Sequence, residues 1–439
     1  MDVTEIKKNK LKTILRFSIP SIIAMLLETV ITITDGYFTG NYVGENALAA
    51  INLGLPILYF YLGTGLCVGV GGTVICGKLL GEKNQRKASE VFTQTIVTAA
   101  IVCTLTSLGV LLLFFPILKM LGAEGELSVS FTQYYLVMLV CYPLMVIGSI
   151  LGMFIRIDGK PQVCMIVSIA SCILNAGLDY ILVGRLGVKG SAIASLAVQA
   201  IAVLVQAVYF LGTSHSIRFR RYRFDQAVIR ETLLNGSSEF IGEMASAISM
   251  FAFNFVLMKY VGASGVAAFT ILGFAVYGYS MIAIGFGQGL TSLVSVCWGA
   301  KEWETAMHLR KMTNQILFGI GALFAGFFWM LGKRYAGVFG CSNGVADMVS
   351  TGFRFYAVTF LIMGYDVTNS MYFTSCGDAL NSAMISALRG IVLLLTFIFL
   401  FPAIWGMTGV WMAAPATEAL TAIVSVFLIR KQRKRIESR

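Results

Sequence analysis

The chain has 439 residues, of which 57% are hydrophobic and only 13% are charged, and its formal net charge is +11. Ordinary soluble domains carry about 25% charged residues, so this composition excludes a typical soluble fold. The basic residues cluster at both ends and in alternate loops. That is the positive-inside pattern of a polytopic membrane protein with both termini in the cytoplasm, and it argues against nucleic-acid binding.

Apolar runs of about 20 residues, long enough to cross a bilayer, recur from end to end, and the polar first twelve residues predict an uncleaved signal anchor. Twelve transmembrane helices are predicted, at 14–39, 47–77, 89–115, 128–155, 162–184, 190–212, 232–258, 265–298, 306–331, 345–373, 380–402 and 408–429. The predicted domains are an N-terminal six-helix lobe (1–212), a basic cytoplasmic linker (213–231), a C-terminal six-helix lobe (232–430) and a basic cytoplasmic tail (431–439).

The first predicted helix carries two acids, Glu28 and Asp35. Seven residues are two helical turns, so the two side chains are predicted to share one face. Carboxylates inside a membrane span usually face a bundle interior, a cavity or an ion path. Counted from Arg16 at about 1.5 Å per residue, Asp35 lies roughly 28 Å from the cytoplasmic end.

The fifth predicted helix supplies partners at a matching depth. Asn175 and Asp179 are four residues apart and so lie on one face, roughly 21 and 27 Å from Pro161. With Asp35 they suit a proton or an oxygen-coordinated sodium ion. Alternatively, the acids form a hydrogen-bonded pair that ties two helices together, and Asn175 bonds a neighbouring helix.

An internal repeat relates the two halves of the chain. Adding 218 to a position in the first half brings related residues into register: Tyr42–Gly44 with Tyr260–Gly262, Gly81 and Lys83 with Gly299 and Lys301, and Gly159 with Gly377. Six helices per copy make this a parallel repeat, a transporter architecture whose pathway lies between the halves. At the same offset, Asp35, Asn175 and Asp179 correspond to Phe253, Leu393 and Phe397, so the second half is predicted to lack this cluster.

The second half has acids of its own, namely Glu239 and Glu243 in helix seven and Asp366 in helix ten. Glu243 and Asp366 are both predicted near mid-membrane. In helix eleven, Arg389 either neutralises an acid such as Glu418 in helix twelve or extends its charge to the membrane interface.

Three further residues are predicted to line a substrate cavity: Glu28, Tyr37 and Met281. A carboxylate and an aromatic face both suit a flat organic cation. Nine scattered cysteines and the two histidines, His215 and His308, provide no plausible metal or redox constellation. We therefore predict no catalytic site, no cofactor and no metal beyond a sodium ion at the first-half cluster. An integral-membrane enzyme would need a nucleophile–base or metal set.

Motifs in order along nearly the whole chain resemble those of multidrug and toxic compound extrusion (MATE) transporters. They are Asp35–Gly40, Ala47–Ala50, Gly77–Gly81, Asn175–Asp179, Gly187–Ala194 and Gly406–Ala413. The resemblance implies a V-shaped pair of six-helix lobes and an antiporter that expels organic, often cationic, compounds against protons or sodium. It also implies a first-lobe cation site at Asp35, Asn175 and Asp179, and a second-lobe site at Glu243 or Glu239 with Asp366.

The predicted function is therefore a proton- or sodium-coupled antiporter of the cytoplasmic membrane that acts as a monomer on small organic compounds. The alternative is a lipid-linked oligosaccharide or polysaccharide flippase of a related superfamily. Its pyrophosphate cargo favours basic residues in the cavity, whereas the intramembrane charges here are mainly acidic. The predicted partners are the substrate, the coupling ion and the lipid bilayer, and no nucleic acid.

Overall fold

A computed structural model describes residues 3–122, 124–214 and 216–438, so His215 lies outside the described residues. The described chain is almost entirely helical and contains no strand. Its helices are α1 (Val3–Lys8), α2 (Lys10–Tyr42), α3 (Glu45–Leu53), α4 (Leu55–Gly81), α5 (Gln85–Leu112), α6 (Phe114–Met120), α7 (Gly125–Ile157), α8 (Pro161–Leu186), α9 (Val188–Val208), α10 (Gln226–Tyr260), α11 (Ala263–Gly299), α12 (Trp303–Gly337), α13 (Asn343–Cys376), α14 (Ala379–Ala387), α15 (Leu393–Trp405) and α16 (Met407–Glu437). Two segments are π-helical turns. One, Tyr209–Thr213, follows α9, and the other, Leu388–Val392, joins α14 to α15.

Twelve helical spans in the described chain are long and apolar enough to cross a membrane, six on each side of the basic linker. The predicted all-α, twelve-helix class is confirmed. Apart from the third span, which ends at Leu112 instead of the predicted 115, the spans extend past the predicted apolar windows at both ends, because polar residues continue the helix after the hydrophobic run ends. Helix α10, for example, begins at Gln226, six residues before the predicted start at 232.

The chain forms two compact units. The first unit contains residues 19–240, and the second contains residues 4–18 together with the chain from Ile241 onward. The N-terminal residues join the second unit partly through an ion pair between Lys7 and Glu302. The limits that the sequence predicts for the linker and tail stay a prediction.

The repeat is visible in the backbone. Lys83 and Lys301 have φ values of 60° and 61°, and in the described chain they are the two non-glycine residues with positive φ. Left-handed geometry is costly for a residue with a Cβ, yet both copies adopt it in the same turn. The N–H of Lys83 donates to the Leu80 carbonyl at 3.0 Å, and that of Lys301 to the Trp298 carbonyl at 3.1 Å. The two halves therefore share one turn structure at an offset of 218.

The offset changes by one residue near the end of the chain. Gly187 and Gly406 have matching φ values of 62° and 54° at the starts of α9 and α16, and they lie 219 positions apart. A π-helical turn holds one residue more than an α-helical turn. The π turn Leu388–Val392 therefore absorbs a one-residue insertion in the eleventh span.

This insertion corrects two of the predicted equivalences. At an offset of 219, Asn175 and Asp179 correspond to Leu394 and Ile398 rather than to Leu393 and Phe397. Leu394 and Ile398 lie in one apolar cluster with Phe253, the counterpart of Asp35. The place of the polar cluster is thus filled in the second unit by hydrocarbon, as predicted, although by different residues.

The linker after α9 is held against the first unit. The Asp158 carboxylate accepts hydrogen bonds from Tyr209 Oη at 2.5 Å and Ser214 Oγ at 2.9 Å. Further along, the N–H groups of Arg218 and Arg220 donate to hydroxyls of α5, at Ser89 and Thr93. The basic stretch is therefore docked along α5, and Asp158 fixes the point at which it starts.

Replacing Tyr209 with Phe tests this anchor. Tyr209→Phe removes one hydrogen bond to a carboxylate, so we expect the free energy of unfolding to fall by about 1.5 kcal/mol. The measurement is thermal or chemical unfolding of the purified protein in detergent. Tyr180→Phe is the matched control, because the Tyr180 ring is 65% exposed, and an equal loss in both variants would contradict a role for the anchor.

Candidate functional site

Asp35, Asn175 and Asp179 meet within the first unit. Asn175 and Asp179 lie one turn apart on α8 and are 1% and 0% exposed, and Asp35 projects from α2 and is half-buried. The Asp35 carboxyl interacts with the side chains of both α8 residues. The structure therefore brings together the three residues that counting helical depth had placed at one level.

These side chains leave several polar atoms without a partner. Asp35 Oδ1, both carboxyl oxygens of Asp179, and the amide oxygen and nitrogen of Asn175 are buried and make no hydrogen bond. The two acids lie close enough to interact, but no pair of their atoms meets hydrogen-bond geometry. Two ionised carboxylates can only accept hydrogen bonds, and burying them unpaired is costly. A proton or an oxygen-ligated cation would satisfy both groups.

The surroundings of this cluster supply one hydroxyl and no fixed positive charge. Ser195 Oγ on α9 donates to Asp35 Oδ2 at 3.3 Å. No Lys or Arg of the described chain forms an ion pair with Asp35 or Asp179. Sequence reasoning missed Ser195, because nothing in the pattern separates it from the other small polar residues of the spans.

A second buried charged cluster lies in the second unit. Arg389 Nε donates to Glu418 Oε1 at 2.8 Å, which confirms the predicted neutralisation of Glu418. Asp366, fully buried on α13, accepts from Ser425 Oγ at 3.0 Å and interacts with both Glu418 and Arg389. Helices α13 and α16, with the π turn before α15, therefore assemble two acids around one guanidinium.

Comparison with protein families decides what kind of chain this is. The family model MatE matches residues 20–181 and matches again at residues 240–400. The chain belongs to the MatE family. The two matches fall in the two halves of the chain, in keeping with the internal repeat, and the resemblance drawn from the motifs is confirmed.

Among MatE relatives, the multidrug export protein MepA of Staphylococcus aureus is 24% identical over 432 residues, which are 97% of this chain and 94% of the relative. MepA of Staphylococcus saprophyticus is 26% identical over 434 residues, 97% of this chain and 95% of that one. The fold resembles the crystal structure of MATE in the straight conformation (TM-score 0.91, 21% identity, 98% and 97% of the two chains). It also resembles an outward-facing multidrug resistance MATE transporter (TM-score 0.91, 22% identity, with the same coverage).

The remaining predicted site residues of this MatE chain lie apart from the two clusters. Glu28 is exposed on α2 and interacts electrostatically with Arg156, and Tyr37 is 62% exposed. Met281 is half-buried on α11 of the second unit. Their role as a substrate cavity stays a prediction.

Helix α10 carries the two other predicted acids. Glu239 is half-buried in the first unit, where it interacts with Cys67, and Glu243 is half-buried in the second unit. The charged groups that interact with Asp366 are Glu418 and Arg389. The pairing of Asp366 with Glu243 or Glu239 therefore stays a prediction.

Proposed function

We propose that this chain is a proton- or sodium-coupled antiporter that exports small organic, cationic or amphipathic compounds across the cytoplasmic membrane. Membership of the MatE family and two relatives named as multidrug export proteins support export of such compounds. The observation that carries ion coupling is the Asp35, Asn175 and Asp179 cluster, with its unpartnered oxygens and no fixed countercharge. The relatives give no support to a flippase.

We also propose the membrane orientation and the oligomeric state of the transporter. Basic residues at both ends and in alternate loops support cytoplasmic termini. We propose that the transporter acts as a monomer, without a cofactor. A second coupling site at Asp366, with Glu243 or Glu239, is proposed by family resemblance, although the contacts of Asp366 favour Glu418.

Dye efflux from proteoliposomes tests the proposal. Purified protein is reconstituted, a fluorescent cationic dye is loaded, and a proton or a sodium gradient is imposed. We expect one of the gradients to accelerate efflux, and an ionophore that collapses it to remove the acceleration. If the rate of dye efflux is the same without any gradient as with a proton gradient, a sodium gradient or both, coupling is refuted.

Coupling requires that the ion bind two shapes of the first unit with different affinity. A proton or sodium ion between Asp35 and Asp179 removes the repulsion between α2 and α8 and allows α2 to move. Helix α2 can bend at Pro20, and apart from the neighbouring backbone of α2 itself no atom of the described chain lies within 4 Å of a Cβ placed on Gly40. We propose that this bending expels the cargo and opens the path for the next one.

Spectroscopic distance measurement tests this movement. With labels at Ile33 on α2 and Ile173 on α8, which are 64% and 70% exposed, we expect the separation to change with pH or sodium. A control pair at Ile173 and Leu204, on α8 and α9, should stay constant. An unchanged Ile33–Ile173 separation from mildly acidic to mildly alkaline pH, with and without sodium, would rule out the mechanism.

A further inference from the structure

The charged cluster of the second unit occupies a place where the first unit is neutral. In the repeat, Asp366 corresponds to Gly148 at an offset of 218, and Glu418 corresponds to Gln199 at an offset of 219. In the first unit these counterparts are also neighbours, because Gln199 Oε1 lies 3.8 Å from a Cβ placed on Gly148. The same helix contact thus holds a glycine and an amide in one unit and two carboxyl groups in the other.

Arg389 reaches this place from the inserted π turn. The turn is held by Ser249 on α10, whose Oγ donates to the Gly390 carbonyl at 2.9 Å, and Gly390 packs closely against Ala245. Arg389 lies within the turn that accommodates the extra residue, and the packing of the turn holds it beside Glu418.

The net charge of the cluster is unbalanced when both acids are ionised, because two carboxylates face one guanidinium. Asp366 Oδ2, Glu418 Oε2 and Thr421 Oγ1 are buried and make no hydrogen bond, and the two acids are 0% and 6% exposed. The phenols of Tyr279 and Tyr356 also interact with Glu418, and an intact phenol adds no charge. One additional positive charge would make the cluster neutral.

We propose that Asp366 and Glu418 share a single proton, and that Arg389 makes this site selective for protons by keeping metal cations out. A proton fits between two carboxyl oxygens, whereas a sodium ion needs several oxygen ligands. Arg389 already occupies Glu418 Oε1, and its charge repels a second cation at short range. The proposal extends the proposed coupling function by giving the two units different ion selectivity.

Infrared spectroscopy tests the shared proton. The protein carries Asp35→Asn and Asp179→Asn, which removes the first cluster, and spectra are recorded near neutral pH. We expect the band of a protonated carboxyl group to lose the same intensity in Asp366→Asn and in Glu418→Gln, because either change leaves one acid balanced by Arg389. If Asp366→Asn lowers the band and Glu418→Gln does not, Asp366 holds a proton by itself and the proposal fails.

Binding of radioactive sodium tests the role of Arg389 in the same background. We expect no bound sodium while Arg389 is present, about one ion per protein in Arg389→Gln, and none in Arg389→Gln with Glu418→Gln. The proposed selectivity for protons would be overturned if sodium binds while Arg389 is present, or if folded Arg389→Gln binds no sodium. The infrared comparison does not use Arg389→Gln, so it decides the shared proton even if that variant does not fold.

These experiments are independent of the proposed first-unit coupling. They measure a carboxyl band and bound sodium, whereas coupling at Asp35 and Asp179 is measured by dye export. A failed infrared test would leave open whether export depends on Asp35 and Asp179, and failure of first-unit coupling would leave the infrared results unchanged.

Discussion

Asp35→Asn and Asp179→Asn are each expected to abolish ion-driven export, with dye efflux falling to the leakage of liposomes without protein. An amide has nearly the shape of a carboxyl group, but it neither takes up a proton nor balances the charge of a sodium ion. The ion would then bind both shapes of the first unit alike, and such an ion shifts no equilibrium.

Folding should survive these two changes. Each variant removes one of two like charges that are buried without a countercharge, and the new amide brings hydrogen-bond donors to the unpartnered oxygens. We therefore expect an unfolding temperature equal to or above that of the unchanged protein. A loss of export can then be assigned to ion coupling.

Asp347→Asn is the matched control for export. Asp347 forms an exposed ion pair with Lys333 at 2.6 Å, and such pairs contribute little to stability. This variant should export at the unchanged rate. Full export by folded Asp35→Asn or Asp179→Asn would remove that residue from the coupling site.

The twelve helices and the two halves were predictable because hydropathy and the constant offset act over long stretches of chain. The matching depth of Asp35, Asn175 and Asp179 was also predictable, since depth along a helix follows from residue number. Depth does not show which helices are neighbours. For that reason the sequence could not predict that Glu418 and Arg389 are charged neighbours of Asp366, and the pairing of Asp366 with Glu243 or Glu239, which rests on the family resemblance, stays a prediction.

The change of the repeat offset from 218 to 219 at the π turn could not be predicted from the sequence either. Within an apolar run such as Leu393–Leu400, neighbouring residues are chemically alike, so a one-residue insertion leaves the pattern almost unchanged. The backbone reveals it through the matched turns at Gly187 and Gly406. The number of residues that separates equivalent positions of a repeat can therefore change inside a helix, where the loops do not show it.

Arg389→Leu is expected to have the largest effect on stability, lowering the free energy of unfolding by about 3 kcal/mol. The Glu418 side chain is 8% exposed, and that of Arg389 is 27% exposed, so the change leaves a buried carboxylate without its partner. Its protonation offsets part of the cost. Chemical unfolding in detergent micelles measures the loss.

The double variant Arg389→Leu with Glu418→Leu separates the ion pair from simple packing. Replacing both members of a buried pair with apolar groups is often nearly neutral, so we expect it to recover most of the stability lost in Arg389→Leu. Lys333→Leu, which breaks the exposed pair with Asp347, should cost less than about 1 kcal/mol. If the double variant is no more stable than Arg389→Leu, the stem of Arg389 stabilises the helix contact and its charge does not.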